Sequence, residues 1–392
     1  MSNYNQALIL EAVRELNIIS IPSLYKRIKR LARKYIKHQL VEPIDNINWP
    51  KGCLAVGLMD YGMKRLSDAS GISMSAEAPS QAIYAISEVK TYLDMWISSG
   101  TNIYFVDDCL MGQALLKLAL YYRDIAKDES LYEKYMSAAD KMMEFLFAHR
   151  QTEDGSLPYR PNQTTNDIYA DGIGMVVPFA IGYGYLRGND DAIALGMTQL
   201  RNFVKNATDT DTGLFYHTYR CSGSRKDDSG QGRDKDIGDE KLDGDSDIAD
   251  KIFEISKALG WGRALGWVTY GAAAGLAIAN RVLGTPVYDD YTRELKQINS
   301  DIQNLVMKYR RENCLWGSDL LDPDSPIDTS ASAMIMSILD GEEFEKSRDE
   351  LKKYITEDGR VMQAQGECMG VGIYSTTFDS YPWSVGMTLA VL

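Results

Sequence analysis

Two aspartates in this chain stand where acid–base chemistry could be done. Asp107 opens the stretch DDCLMGQALLKLALYY and Asp171 opens DGIGMVVPFAIGYGYL, each a carboxylate at the head of a segment with hardly a charge in it. An Asp in such a place is either the cap of a helix, its commonest use, or a working group. Two carboxyls at one aromatic opening are the minimum for acid–base work on a glycosidic bond. His217 in TGLFYHTYR and Arg263 in WGRALGW open or precede neighbouring segments and belong with them. The other histidines, His38 and His149, fall on or at the ends of amphipathic stretches and read as structural. No clustered His, Cys and carboxylate set exists to hold a transition metal. No Ser–His–acid order, P-loop or glycine-rich dinucleotide turn stands out either, so neither metal nor cofactor is expected.

The elements that must position these residues recur along the chain. Segments 49–63, 107–122, 171–186, 261–279, 328–339 and 381–392 each start with an aromatic, a carboxylate or a hydroxyl and continue in small and aliphatic residues. A helix apolar all round is buried on every side. Between them, 84–98, 130–148, 190–206 and 288–309 carry one apolar stripe each, as outer helices do. Strand alternation is nearly absent. The chain therefore reads as all-α, a single domain over 1–392 in which buried and amphipathic helices pair six times, an (α/α)6 barrel of six helical hairpins. An open solenoid competes, but its end repeats would need a polar capping face that these lack. In a ring, Trp49, Asp107, Asp171, Trp261 and Asp328 would line one mouth. Trp267 and Trp383 fall near the same openings, and aromatics with a few carboxylates suit a sugar.

The interval from 171 to 261 is the longest, and it holds the Gly-, Ser- and charge-rich stretch 221–251. That stretch is expected as a solvated surface insertion near the mouth. Within it, 239–250 partly fits a calcium loop, although Lys241 takes a ligand position and Asp250 replaces the usual Glu. Residues 23–40 set an apolar stripe of Leu24, Ile28, Leu31 and Tyr35 under a basic face, expected as an outer barrel helix. With 55 acidic against 42 basic residues the net charge is −13, a field that disfavours nucleic acid and anionic membranes as partners. Five dispersed cysteines without a CxxC pair argue against a disulfide framework. The opening MSNYNQALILEAVRELNIIS lacks the features of a signal peptide, and no stretch is long and apolar enough to span a bilayer, so a cytoplasmic protein is expected.

At these residues the chain resembles the unsaturated glucuronyl and rhamnogalacturonyl hydrolases, glycoside hydrolase families 88 and 105. The resemblance runs from about residue 50 onward in five ordered blocks: VDDCLMG, DGIGMVVPF with its Pro178, TGLFYHTYR, WGRALGW and DTSASAM. The blocks select Asp107 over Asp108, and mark Asp171, His217, Trp261, Arg263, Trp267, Thr329 and Ser332. Three departures stand out. Ala264 and Leu265 replace the polar pair usual after the family Arg, Tyr219 replaces a Trp, and the 221–251 insertion is long. All three are expected where the second sugar sits.

The resemblance implies removal of a Δ4,5-unsaturated uronic acid from the non-reducing end of lyase-generated oligosaccharides, with a lean to the rhamnogalacturonyl type. It implies Asp171 as proton donor and water activator with Asp107 as the partner that perturbs it. It implies Arg263 as the cation for the uronate, with His217 and the tryptophans, Trp49 included, around the ring and Thr329 and Ser332 on the substrate. A conventional uronidase acting on a saturated sugar and a non-catalytic carbohydrate-binding barrel remain the alternatives. A sugar 2-epimerase would need paired histidines at the mouth, where only His217 is suitably placed.

Overall fold

A computed structural model describes residues 4–18, 24–36, 47–69, 77–161, 165–221, 258–283 and 289–392. In chain order the helices are α1 (Tyr4–Asn17), α2 (Leu24–Tyr35), α3 (Trp49–Ala69), α4 (Glu77–Ser98), α5 (Cys109–Tyr121), α6 (Glu129–Ala148) and α7 (Ala170–Arg187). They continue as α8 (Asp190–Ala207), α9 (Gly262–Leu283), α10 (Asp290–Lys308), α11 (Thr329–Met336), α12 (Gly341–Leu351) and α13 (Pro382–Val391).

The six apolar segments read from the sequence are the helices α3, α5, α7, α9, α11 and α13. Each packs beside the next, and α13 packs back on α3, so they form a closed inner ring. The open solenoid is thereby excluded. Closure depends on glycine. A Cβ on Gly57 of α3 would lie 2.0 Å from the Gly386 carbonyl oxygen of α13, and one on Gly386 would lie 2.3 Å from the Cys53 carbonyl carbon and oxygen. The first and last inner helices touch backbone to backbone there, and no side chain fits between them.

Outside the ring lie α4, α6, α8, α10 and α12, each against its inner neighbours. Several begin on the caps their sequences provide. Asp128 accepts from the Leu131 amide at 3.0 Å, Asn189 from Ala192 at 3.0 Å and Asp289 from Thr292 at 2.7 Å. The outer position between α13 and α3 is filled by α1, which buries Leu8, Ile9, Ala12, Val13 and Leu16. This corrects the expectation for residues 23–40. Their helix, α2, leaves Ile28 57 % and Leu31 56 % exposed, so it is not the outer barrel helix at that place. The expected insertion, Cys221 apart, and the calcium-like loop 239–250 lie outside the described residues.

One inner helix carries a proline, and the ring accommodates it. Pro178 in α7 has no N–H to give the Gly174 carbonyl. Gln113 of α5 supplies the missing donor, with its Nε2 at 2.9 Å from Gly174 O and 3.0 Å from Met175 O. The Tyr270 hydroxyl of α9 closes the network on Gln113 Oε1 at 2.7 Å. Three inner helices are thus tied across the core by one satisfied amide. No described helix is long and apolar enough to cross a membrane.

Candidate active site

The N-terminal ends of the inner helices meet at one end of the ring. Ahead of α7 runs strand β1 (Asp167–Tyr169), paired antiparallel with β2 (Thr218–Arg220) so that Tyr169 faces Thr218. The Ala170 amide donates to the His217 carbonyl at 2.9 Å, which sets the histidine beside the first turn of α7. His217 Nε2 then lies 3.0 Å from Asp171 Oδ2. A two-strand ribbon therefore brings together residues 46 apart in sequence.

Asp107 sits in a short 3-10 turn, Val106–Asp108, that leads into α5 and touches both α3 and α7. It is buried, and its Oδ1 has no hydrogen-bond partner among the described residues. Burial first, and the negative charge of Asp171 second, push its pKa well above the ordinary carboxylate range; a hydrogen bond with Tyr159 and the charge of Arg160 act the other way. Nearby, a cavity of about 10 Å³ lined by Val106, Tyr159, Gly172 and Val176 keeps these surroundings largely apolar. The two expected carboxylates are thus close enough for the charge of Asp171 to act on Asp107, which carries the raised pKa.

Neither is a helix cap. Asp108 takes the turn-forming role, accepting the Tyr104 amide at 2.8 Å and the Phe105 amide at 3.2 Å. Tyr169 is the N-cap of α7, without a side-chain bond. Asp328, by contrast, is a true cap: its Oδ1 accepts from Ser330 N at 2.9 Å and Ala331 N at 3.4 Å. The structural alternative for an opening Asp therefore applies to Asp328 and not to Asp107 or Asp171.

Several residues expected on the substrate are engaged inside the fold instead. Arg263 is 2 % exposed, with its terminal nitrogens on the carbonyls of Gln365 (2.8 Å) and Gly366 (2.6 Å). Its Nε stands 4.0 Å from Asp328 Oδ2, and its guanidinium lies against the Trp261 and Trp383 rings. It is a buried cross-link rather than a cation presented at the opening, because every N–H that far from water needs an acceptor. Thr329 donates to Met362 O at 2.9 Å, while Ser332 accepts the Trp316 amide at 3.0 Å; both are fully buried. Trp267 is buried against Trp49 and Gly174. Trp261 gives its N–H to Gln365 Oε1 at 2.8 Å, and one of its faces is covered by Tyr374. Trp49 is partly open, packed on Trp383 with centroids 4.7 Å apart.

The covering tyrosine comes from a hairpin between α12 and α13 whose strands are β3 (Ala364–Gln365) and β4 (Phe378–Asp379). Tyr374 stacks on Trp261 at 4.7 Å and 9°. Cys368, on the same hairpin, has its thiol pKa pushed up to about 11 by burial and then by the Asp171 charge, so the hairpin runs near Asp171. Sequence reading missed Tyr374, Gln365, Tyr159 and Arg160, which lie in loops or two-residue strands where no periodicity marks a position. Arg160 is exposed, with its guanidinium 5.0 Å from the Phe105 ring centre and 5.8 Å from that of Tyr159.

Two of the departures from the family pattern fall away from the opening. Ala264 and Leu265 are buried in the ring, and Tyr219 bonds Ser156 Oγ at 2.7 Å and Asp154 at 3.1 Å behind β2.

Known proteins resemble this chain to different degrees. An unsaturated rhamnogalacturonyl hydrolase, YesR of Bacillus subtilis, is 24% identical over 303 residues, 74% of this chain and 75% of its own length. A crystal structure of a possible GH105 member from Salmonella enterica covers 100% of this chain and 93% of its own at 18% identity, with a TM-score of 0.66. An unsaturated glucuronyl hydrolase specific for heparin covers 99% of this chain and 94% of its own at 14% identity, with a TM-score of 0.58. These structural likenesses establish the helical barrel. Residues 28–237 and 239–392 match the model of Glycosyl Hydrolase Family 88, and the chain belongs to that family of glycoside hydrolases.

Proposed function

We propose that this enzyme removes a Δ4,5-unsaturated uronic acid from the non-reducing end of lyase-generated oligosaccharides, with Asp107 and Asp171 as the acid–base pair. The observation that carries the reading is the asymmetry of that pair. Asp107 is sealed and its pKa is raised, while Asp171 has a side chain 27% exposed and holds His217. The buried carboxyl of Asp107 keeps its proton more readily than an ordinary carboxyl, and Asp171 is the member open to substrate. A bound uronate adds negative charge beside the pair and favours keeping that proton.

The unsaturated ring is a vinyl ether, so a proton delivered to C4 leaves cationic charge shared by C5 and the ring oxygen. Asp171, the open member, delivers it. Its carboxylate then takes a proton from a water that attacks C5, and the resulting hemiketal opens. The hemiacetal left at C1 expels the aglycone as an alcohol, giving a 4-deoxy-5-keto uronate. Asp107 stands beside Asp171 as the buried partner carboxyl, and His217 orients the Asp171 carboxyl. Because Arg263 is engaged within the fold, Arg160 becomes the candidate cation for the uronate carboxylate, and the half-open Trp49 a candidate face for the sugar. The lean to a rhamnogalacturonyl aglycone rests on the curated relative named for that activity.

The test is loss of the ultraviolet absorbance of unsaturated disaccharides from pectin, glycosaminoglycan and algal sources. Turnover of any of these that vanishes in Asp171→Asn supports the assignment. Cleavage of a saturated nitrophenyl uronide in its place would make the protein a conventional uronidase. Binding without turnover would make it a carbohydrate-binding barrel.

A further inference from the structure

His217 has a second partner besides Asp171. The Tyr374 hydroxyl stands 3.2 Å from His217 Nδ1, on the far side of the ring from the catalytic pair. The tyrosine is itself held at several points. Its ring lies flat on Trp261, 4.7 Å between centroids at 9°. Gln365 Nε2 donates to the next carbonyl, Ser375 O, at 2.9 Å, and Gly372 turns the chain with a φ of 71°. Burial pushes the phenol pKa up, so the hydroxyl keeps its proton.

His217 Nδ1 is the side-chain partner of that hydroxyl, so the phenol proton is aimed at the ring nitrogen. We propose that Tyr374 is a positioning residue: by donating to Nδ1 it fixes His217 as the Nε2–H tautomer, whose only remaining hydrogen points at Asp171 Oδ2. The chain of donors then runs one way, phenol to imidazole to carboxyl. Without it the neutral ring could carry its proton on Nδ1, and Nε2 would turn a lone pair toward the carboxylate. Asp171 would lose its one side-chain donor among the described residues, and with it a fixed orientation. The catalytic half of this inference rests on the function proposed above; the tautomer half does not.

Three histidines in the chain make the tautomer readable by ¹⁵N NMR of the imidazole nitrogens, with His217→Gln used to assign the signal. In the wild-type protein His217 should show a protonated Nε2 and a hydrogen-bonded, unprotonated Nδ1. Tyr374→Phe keeps the ring on Trp261 and removes only the hydroxyl. It should shift the Nδ1 resonance and lower kcat about tenfold, the worth of one ordinary hydrogen bond, with KM within about twofold. Tyr374→Ala, which also loses the stack, should raise KM in addition. Unmoved His217 resonances in Tyr374→Phe overturn the contact, and moved resonances with an unchanged kcat overturn the positioning role. If the wild-type protein leaves unsaturated uronides untouched, the proposed reaction fails, and the resonances still decide whether Tyr374 sets the tautomer.

Discussion

His217 Nε2 meets Asp171 Oδ2 at 3.0 Å, and it is the only side-chain hydrogen bond Asp171 makes among the described residues. Asp171 caps no helix and ties down no loop, so the fold has little need of its charge. Asp171→Asn should therefore leave the thermal midpoint within a few degrees of wild type while lowering kcat by about a thousandfold or more, the scale of a lost general acid. Near-wild-type turnover of an unsaturated disaccharide by this variant would sink the assignment.

Asp107 makes the opposite bargain with stability. Its pKa in the folded protein lies above the value near 3.9 of an unfolded chain. The folded state thus retains a proton that the unfolded state releases, and stability falls as pH rises from about 4 through the raised pKa. Asp107→Asn escapes that loss. Its advantage in urea melts should be absent near pH 4 and grow toward neutral pH, by about 1.4 kcal/mol for each unit by which the pKa is raised. A stability difference independent of pH would contradict the buried, perturbed carboxyl.

In the proposed reaction the uronate carboxylate needs a cation, and the exposed guanidinium of Arg160 beside Tyr159 is the candidate. Arg160→Ala should raise KM about tenfold and leave kcat nearly unchanged, as removal of uniform binding does. Substrate whose carboxylate has been methyl-esterified should bind wild type and variant alike. Equal KM values for the acid in both proteins would point to another cation.

How far the sequence could lead is clearest in particular residues. The six inner helices were legible because a helix without charge on any face has only one place to go. α12 was not singled out, since it buries little beyond Ser347 and Leu351 and leaves no apolar stripe. α1 has such a stripe, but residues 23–40 offer a more amphipathic one, and only packing decides which covers the ring. Asp107 and Asp328 look alike as letters before apolar runs. What separates them is whether an amide lies within reach of the carboxyl, and loops outside the helices settle that. Tyr374 and Arg160 lie on such loops, so the parts of the site contributed by connections stayed hidden while those at helix mouths did not.

Arg263 tests the difference between the expected and the observed role most directly. A cation reserved for substrate would, when removed, raise KM and leave the empty protein as stable as before. The observed guanidinium instead joins α9 to the base of the β3–β4 hairpin through Gln365 and Gly366 and lies beside the capping carboxylate of Asp328. Its removal leaves two buried carbonyls and one buried carboxylate without their donor or counter-charge. Arg263→Ala should accordingly lose roughly 3–5 kcal/mol of stability in the absence of any sugar, the cost of breaking a buried charged contact from one side. Arg263→Lys, which keeps the charge but cannot span both carbonyls in one plane, should recover only part of it. Because the hairpin carries Tyr374, both variants should also show the displaced His217 nitrogen signals of Tyr374→Phe. A normal melting curve with a raised KM alone would return Arg263 to the substrate.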